Sequence, residues 1–326
     1  MTIKNVKLEV KINKHNVTED VSKYLMSLTY TDYEKGQSDE LSLELKDNDK
    51  LFQNDWRPRK GDKISAKIGY KYLPLLNCGT FTIDEVEYSK SSDGDVFAIK
   101  ALAASINQKV REKNNKSYKD KTLVEIAKQI GTKHGYKVAG ASGFLKIPYV
   151  AQMNESDLAF LSRIASEYGY IFKLTNNIIT FTPVENLENS KTVNTYTISD
   201  IEDIRIKDSG VGTYNKCSVQ YLNNKGKTVT YTAKSEALST NKETLKLSGR
   251  CSSKEEAVRK AKAGLKQSTK SLSGSINFKQ GQTKAIAGVN IELDLMNSFS
   301  GKYHIKQSTH TVNRDGYTTS VEIEGN

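Results

Sequence analysis

Alternation of apolar and polar residues dominates both ends of this 326-residue chain. Residues 6–12 place Val, Leu, Val and Ile at every second position, and Leu41-Ser-Leu-Glu-Leu45 repeats that pattern. Because successive side chains of a strand point to opposite faces, a period of two predicts half-buried β-strands. About five or six such stretches, with one short irregular piece around Trp56, fill the first hundred residues and are typical of a small β-barrel.

One predicted hairpin occurs twice. Gly79-Thr-Phe-Thr-Ile83 is followed by Asp93-Gly94, and Gly301-Lys-Tyr-His-Ile305 is followed by Asp315-Gly316. The first glycine and the turn glycine are equally spaced in both copies, so one constant offset relates the copies. Asp-Gly favours a tight hairpin turn because glycine accepts positive φ and aspartate bonds to the local backbone. We predict a duplicated β module.

Other segments of the second half extend the repeat. Ile201–Ile206 matches Val21–Leu28, Cys217–Tyr221 matches Leu41–Leu45, and Gly288–Ile291 matches Gly61–Ile64. Each match is a short alternating stretch. The second half therefore predicts another small barrel.

Residues 106–190 have a different pattern. Thr122-Leu-Val-Glu125 has the spacing of a capping box and precedes a stripe of apolar residues with helical period. A second helical stripe starts after Asn154 or Ser156 and ends at Gly169, where glycine suits a left-handed cap. Each helix is followed by an extended run. The prediction is a mainly β protein in which two duplicated small tube-like β-barrels, 1–105 and 191–326, flank an α+β insert domain, 106–190.

A basic helix is expected inside the second barrel domain. Lys262, Lys266 and Lys270 recur every four residues and share one helix face, separate from the apolar face. This row could meet phosphate or an acidic protein partner, or it could be a solvated face. Trp56 could be a binding aromatic or a core plug. These four residues are the candidate partner interface.

Composition narrows the class of protein. The mean hydropathy is −0.58, and no apolar run approaches the roughly 20 residues that span a membrane. All of the net charge of +11 comes from residues 106–326, which carry +12, because residues 1–105 hold 16 basic and 17 acidic side chains. The first residues lack the apolar core of a signal peptide, and the odd number of cysteines fits a reducing compartment. We expect synthesis in a reducing cytoplasm and no membrane association.

Known catalytic motifs are absent from the sequence. It has no phosphate-binding glycine loop, no nucleophile elbow and no metal-binding His or Cys spacing. Asp84 and Glu85 would point to opposite faces of a strand, and Glu255-Glu256 fits the positive end of a helix. We therefore expect no enzyme activity, no catalytic or metal residue and no cofactor.

Several stretches share one further feature, and they are Ser27–Asp32, Asp39–Leu45, Trp56-Arg-Pro58, Gly61–Ile64, Gly79–Val86, Gln152–Leu161, Glu167–Gly169, Gly301–Ile305, His310 and Gly316–Thr319. Together they resemble the late control protein D family of phages, which are tail hub proteins of contractile tails, and this implies synthesis in a bacterial cytoplasm. The resemblance spans essentially the whole chain, and its motifs are structural glycines, aromatics and caps.

The resemblance implies a ring of three subunits, in which two barrels per subunit make six similar positions. A hexameric tail tube protein would dock on one face and a trimeric central spike protein on the other. The expected partners are thus a homotrimer, tube and spike, with baseplate wedge or tape-measure proteins beside them and no specific nucleic acid. Since the chain stops after the second hairpin, we expect no appended spike or wall-hydrolase domain. A genome-carrying phage tail and a headless tail-like bacteriocin both remain open.

Two functions from other classes remain as alternatives. A tail-tip cell-wall hydrolase would need a carboxylate pair or a Cys/His site assembled by folding, with Asp157 or Glu167 as residues to test. A basic nucleic-acid-binding protein would lose affinity steeply with salt as counterion release becomes less favourable. The lysine row lacks interleaved aromatics, which disfavours the second alternative.

Overall fold

The computed structural model describes residues 6–92, 94–103, 112–140, 146–210, 213–235 and 243–325. The elements of the first third are β1 Val6–Ile12, β2 His15–Asn16, α1 Thr18–Tyr24, β3 Leu25–Tyr33, β4 Glu40–Lys46, β5 Lys63–Tyr70, β6 Leu76–Ser91 and β7 Gly94–Leu102. Those of the middle are β8 Lys113–Thr122, α2 Leu123–His134, β9 Lys137–Ala139, β10 Lys146–Ser156, α3 Asp157–Tyr168, β11 Tyr170–Thr175, β12 Ile178–Pro183 and α4 Val184–Glu188. Those of the last part are β13 Thr192–Thr197, β14 Ile201–Asp208, β15 Lys216–Leu222, β16 Thr228–Lys234, β17 Thr244–Cys251, α5 Lys254–Ser268, β18 Leu272–Phe278, β19 Asn290–Asp294, β20 Gly301–Asn313 and β21 Gly316–Gly325.

The mainly β fold class is confirmed, and its main element is one sheet of 13 strands. Its strand order is β14-β18-β21-β20-β3-β4-β7-β6-β5-β1-β2, with β19 pairing β20 and β13 pairing β19. The two barrels predicted from the sequence are not separate closed barrels among the described strands. They join instead, because β3 of the first half pairs antiparallel with β20 of the second.

The duplicated hairpin is confirmed down to its register. Strand pairs β6–β7 and β20–β21 end their ladders at Ser91↔Gly94 and Asn313↔Gly316. Both ladders shift register at one extra residue, Asp84 in the first and Lys306 in the second, which is the same offset as between the turn glycines. A shared bulge is strong support for duplication, because bulges bend and twist a strand at a defined place. Asp93 of the first predicted turn lies outside the described residues.

Each unit of the repeat also contains two strands beside the second strand of its hairpin, β3 and β4 in the first unit and β14 and β18 in the second. β3–β4 pairs Leu28 with Leu43, and β14–β18 pairs Ile204 with Ile276. Both ladders also have a bulge at their start, and aligning these bulges makes Leu28 of β3 equivalent to Ile204 of β14. β5 and β19 complete the two units, as the match of Gly61–Ile64 to Gly288–Ile291 predicted.

One predicted match is wrong. Cys217–Tyr221 is not the equivalent of Leu41–Leu45, because it belongs to β15 in a separate sheet with β16 and β17. The true counterpart of that segment is β18, which pairs with β21 as β4 pairs with β7. Alternation alone could not separate the two, since both are short strands with one buried face.

Four groups of buried apolar residues hold these layers together. The first lies among residues 10–103 and also takes in Val312 and Tyr317 of the second repeat. The second lies within 118–181, the third within 196–323, and the fourth, beneath α5, within 217–265. The contribution of Val312 and Tyr317 to the first group shows that the repeats share a core. The domain boundaries at 105 and 190 stay a prediction.

Both predicted helices of the middle part form with the predicted ends. Thr122 and Glu125 make the capping box of α2, and Ser156 accepts a bond from the Ala159 N–H at the start of α3. Gly135 and Gly169 end the two helices in the left-handed conformation. In the described part of the chain, no helix combines the length and apolar character needed to cross a bilayer.

Candidate functional site

The carboxylate of Asp157 is a buried structural anchor. It accepts bonds from Lys133 Nζ at 2.7 Å and Gln152 Nε2 at 2.9 Å, and it lies 2.7 Å from His134 Nε2. Burial would raise the pKa of Asp157, but Lys133, Gln152 and His134 together lower it. A glycosidase acid needs a raised pKa so that it stays protonated. Asp157 therefore joins α2, β10 and α3 as an ionised group.

Glu167 is used in a similar way, to join α3 to the basic helix α5. It bonds to Arg163 at 2.9 Å and to Lys260 at 3.0 Å, and these partners lower its pKa against the raising effect of burial. Beside it, the Tyr168 hydroxyl donates to Glu256 at 2.7 Å and Arg259 donates to the Tyr168 carbonyl at 3.1 Å. One side of α5 is thus an internal contact.

The two histidines of β20 bond to separate sets of side chains. His304 bonds to Glu34 and Asn290, whereas His310 bonds to Tyr317 and Thr319. All three cysteines are buried and free. Among the residues with described positions, no group of three or more His, Cys, Asp or Glu side chains has the geometry to hold a metal ion.

Two lysines of the predicted row are neutralised inside the protein. Lys266 and Lys270 approach Glu188 of α4, whose side chain is 8% exposed, at 2.5 and 2.8 Å, and Lys270 also reaches Glu324 of β21 at 2.9 Å. Lys262 makes no ion pair within the described ranges. The structure therefore brings Lys266 and Lys270 together at a junction between α4, α5 and β21. A role of the row in partner binding stays a prediction.

Lys262 lies in a cleft of about 390 Å³ beside this junction. The charged residues that line the cleft are Lys35, Arg259, Lys262, Lys266, Lys270, Lys306, Glu185, Glu188 and Glu324. Cations outnumber carboxylates, so the cleft is a basic recess. Lys35 and Lys306 come from distant parts of the sequence, and no local pattern could have predicted that they join the row.

Trp56 packs at the edge of the first core. Its ring meets Tyr24 and Phe52 edge-on, with centroids 6.2 and 5.8 Å away, and 41% of the residue remains exposed. Trp56 thus has one packed side and one accessible side. Its predicted contact with a partner is not tested by this geometry.

A buried ionic junction that the sequence did not predict ties three parts of the chain together. Lys173 of β11 forms ion pairs with Asp32 of β3 and with the buried Asp39. The other oxygen of Asp32 accepts from the Ala287 N–H at 2.9 Å, in the second repeat. Burial raises the pKa of Asp39 to about 6 even though Lys173 opposes that effect. Asp32 thus joins both repeats and the middle part of the chain.

A second buried junction lies beside the first, again between the repeats. Glu34 follows β3, and its carboxylate contacts His304 at 2.5 Å and Lys306 at 2.7 Å, both in β20. Burial would raise the pKa of Glu34, but these two partners hold it at about 2. Lys306 is the bulge residue of the second hairpin. The bulge therefore directs a cation toward the first repeat.

Comparison with known proteins agrees with this architecture. The model of the phage tail baseplate hub (GPD) family matches residues 108–316. The probable baseplate hub protein of Escherichia phage P2 is 34% identical over 160 residues, which is 48% of this chain and 40% of that protein. Less than half of that relative's length is therefore covered.

Solved structures show the same fold over nearly the whole chain. A tail protein from Neisseria meningitidis MC58 superimposes with a TM-score of 0.74 at 12% identity, covering 99% of this chain and 97% of that one. An E. coli component of the type VI secretion system, described as similar to the T4 tail proteins gp27 and gp5, gives a TM-score of 0.58 at 12% identity over 98% of this chain and 76% of that one. Since the family model covers well over half of the sequence, this chain belongs to the phage tail baseplate hub (GPD) family.

Proposed function

We propose that this chain is the structural baseplate hub of a contractile phage tail or tail-like bacteriocin. It acts there as a trimeric adapter with pseudo-sixfold symmetry, between the hexameric tail tube and the trimeric spike. The observation that carries this proposal is the repeat, whose two units share strand pairing, register and bulges. Three copies with two similar units each present six similar surfaces around a threefold axis. Such a ring matches sixfold symmetry on one side and threefold symmetry on the other.

The buried junctions support this role because an adapter must hold its two units in a fixed relation. Asp32, Lys173 and Ala287 link the repeats and the middle part, and Glu34 links β3 to β20. Paired and hydrogen-bonded charges at such places favour one arrangement over others. The chain would work through large, permanent interfaces instead of a small-molecule pocket.

The partners in this proposal are two further copies of the chain, the tail tube protein and the central spike protein, with baseplate wedge or tape-measure proteins next to them. The type VI secretion neighbour supports placing the fold in contractile injection machines. Synthesis in the bacterial cytoplasm, followed by incorporation into the baseplate, belongs to the same proposal.

The test is the mass and symmetry of the purified full chain, alone and mixed with the spike protein of the same tail. We expect light scattering to give three times 36.4 kDa for the ring, and class averages in negative stain to show six lobes with threefold symmetry. A chain that stays monomeric or dimeric even with the spike would overturn the proposal.

Trp56 and Lys262 are the proposed docking contacts within this function. Lys262→Glu and Trp56→Ala should leave the ring mass unchanged and weaken capture of the ring by tube or spike in a pull-down. Lys128→Glu on the exposed side of α2 is the matched control. Equal capture of all three variants would remove these residues from the interface.

A further inference from the structure

Two strand edges of the large sheet are open. Within the described part of the chain, residues 85–90 of β6 pair with β7 on one side only, and β14 pairs with β18 alone at the end of the sheet. Most side chains of residues 85–90 are exposed, including Tyr88 at 45%. An open edge offers a row of backbone donors and acceptors for another strand.

The repeat relation identifies what each open edge corresponds to. Aligning the shared bulges makes residues 85–90 of β6 equivalent to 307–312 of β20, and residues 204–208 of β14 equivalent to 28–32 of β3. Inside one chain, those counterparts do not stay open. β20 pairs antiparallel with β3, from Ser308↔Asp32 to Val312↔Leu28.

The geometry points to the same strand pairing between neighbouring copies of the chain. In the ring of the proposed function, on which this inference rests, β6 of one subunit pairs antiparallel with β14 of the next. The intrachain register transfers to Val86↔Asp208, Glu87↔Lys207, Tyr88↔Ile206, Ser89↔Arg205 and Lys90↔Ile204, with the second residue of each pair in the neighbouring subunit. Each subunit then contains one β20–β3 pair within the chain, and it forms a β6–β14 pair of the same register with each neighbouring subunit.

One charged pair and one apolar pair support this register, while Val86 opposite Asp208 and Lys90 opposite Ile204 add no complementary contact. On one face Glu87 stands opposite Lys207, with Glu85 and Arg205 at the neighbouring positions, and opposite charges across strands stabilise a pair. On the other face Tyr88 meets the half-buried Ile206. The internal counterpart of that contact is His310 stacked on Tyr30, with ring centroids 5.9 Å apart.

The same charges disfavour pairing of like edges. Two β6 edges would bring Glu85 and Glu87 against their own copies, and two β14 edges would do the same with Arg205 and Lys207. Like charges directly opposite each other destabilise a strand pair. A head-to-tail contact is therefore favoured over a twofold one, and such contacts build rings when the rotation closes.

Disulfide trapping tests the register directly in the full chain. The variant with Glu87→Cys and Lys207→Cys should oxidise to a covalent closed trimer, seen in a non-reducing gel, and Val86→Cys with Asp208→Cys should do so as well. Either single variant should stay unlinked. Glu87→Cys with Asp203→Cys is the register control, because four residues along a strand are about 13 Å. The three native cysteines are buried, so they should contribute little cross-linking of their own.

The outcomes separate this inference from the function beneath it. A chain that forms no trimer overturns the proposed function and this inference together. A trimer in which neither opposed pair links, or in which the register control links equally well, overturns the strand pairing alone.

Charge exchange gives an independent measurement without any cross-link. Lys207→Glu should weaken trimer association about tenfold at each contact, because an attractive cross-strand pair becomes a repulsive one. Adding Glu87→Lys to that variant should restore most of the association. Lys128→Glu is again the control. Failure of the double variant to recover, with the trimer otherwise intact, contradicts the proposed register.

Discussion

At the scale of single residues, the most informative groups are charges that folding removes from water. Glu34 is only 3% exposed, and burying its charge would destabilise the fold if His304 and Lys306 did not pair with it. No spacing in the sequence indicates these partners, because they lie near the opposite end of the chain. The lysine row differs from Glu34 because its helical spacing is evident in the sequence. That spacing did not predict that two of its lysines, Lys266 and Lys270, pair with Glu188 inside the protein.

The first prediction concerns acid stability. The pKa of Glu34 is about 2 in the folded chain, below its ordinary value of 4.5. The ionised carboxylate therefore stabilises the fold fully above pH 4.5, and this stabilisation is lost as the pH falls toward 2. Glu34→Gln should therefore lower the free energy of unfolding by about 3 kcal/mol at neutral pH, and the deficit should shrink between pH 4.5 and pH 2.

Urea unfolding at a series of pH values measures this difference. Glu19→Gln on the exposed side of α1 is the control and should follow the parent chain at every pH. A deficit in Glu34→Gln that stays constant down to pH 2 would show that Glu34 acts through packing and not through its charge.

At the scale of elements, local signals were reliable. The capping box of α2, the Ser156 cap of α3 and both hairpins formed where the sequence predicted them, because each depends on residues close together in the chain. The assignment of Cys217–Tyr221 failed because a strand's place in a sheet depends on its neighbours. Nothing in a short alternation specifies those neighbours.

The second prediction compares the turn glycines of the two hairpins. Gly94 and Gly316 have φ values of 120° and 140°, where side chains other than hydrogen are strained. A Cβ at Gly316 would meet nothing within 4 Å, whereas one at Gly94 would lie 2.8 Å from Asn48 Oδ1. Asn48 Oδ1 accepts the Asp95 N–H, so it is not free to move away.

Gly316→Ala should therefore cost about 2 kcal/mol of stability from backbone strain. Gly94→Ala should cost about 1 kcal/mol more, because it also disturbs the partly buried hydrogen bond between Asn48 and Asp95. Urea midpoints at an unchanged slope measure both. Equal midpoints for the two variants would show that the Asn48 contact relaxes without loss.

At the scale of the whole molecule, the repeats are one continuous body of sheet. β3 and β20 share a ladder, Val312 and Tyr317 enter the first core, and Lys173 reaches both Asp32 and Asp39. Removing one partner of a buried pair leaves the others uncompensated. A substitution at Lys173 should therefore destabilise both repeats and the middle part together.

The third prediction follows from that connection. Lys173→Met should lower the free energy of unfolding by about 3 kcal/mol, because two buried carboxylates then face each other without a cation. The fluorescence of Trp56, the single tryptophan, reports the first repeat, and far-ultraviolet circular dichroism reports all strands. Both midpoints should fall together. Lys128→Met should change neither, and a shift seen by one probe alone would mean that the parts unfold independently.

The sequence by itself determined the strand alternation, the helix ends, the duplication and the family, because these depend on residue type and short spacing. Tertiary structure alone decided that the repeats share one sheet, that Lys266 and Lys270 face Glu188, and that Asp32, Asp39 and Glu34 find cations. The physical reason is distance along the chain. Local preferences act between near neighbours in sequence, whereas ladder partners and buried ion pairs join segments that are far apart in the sequence and exist only once the layers have packed.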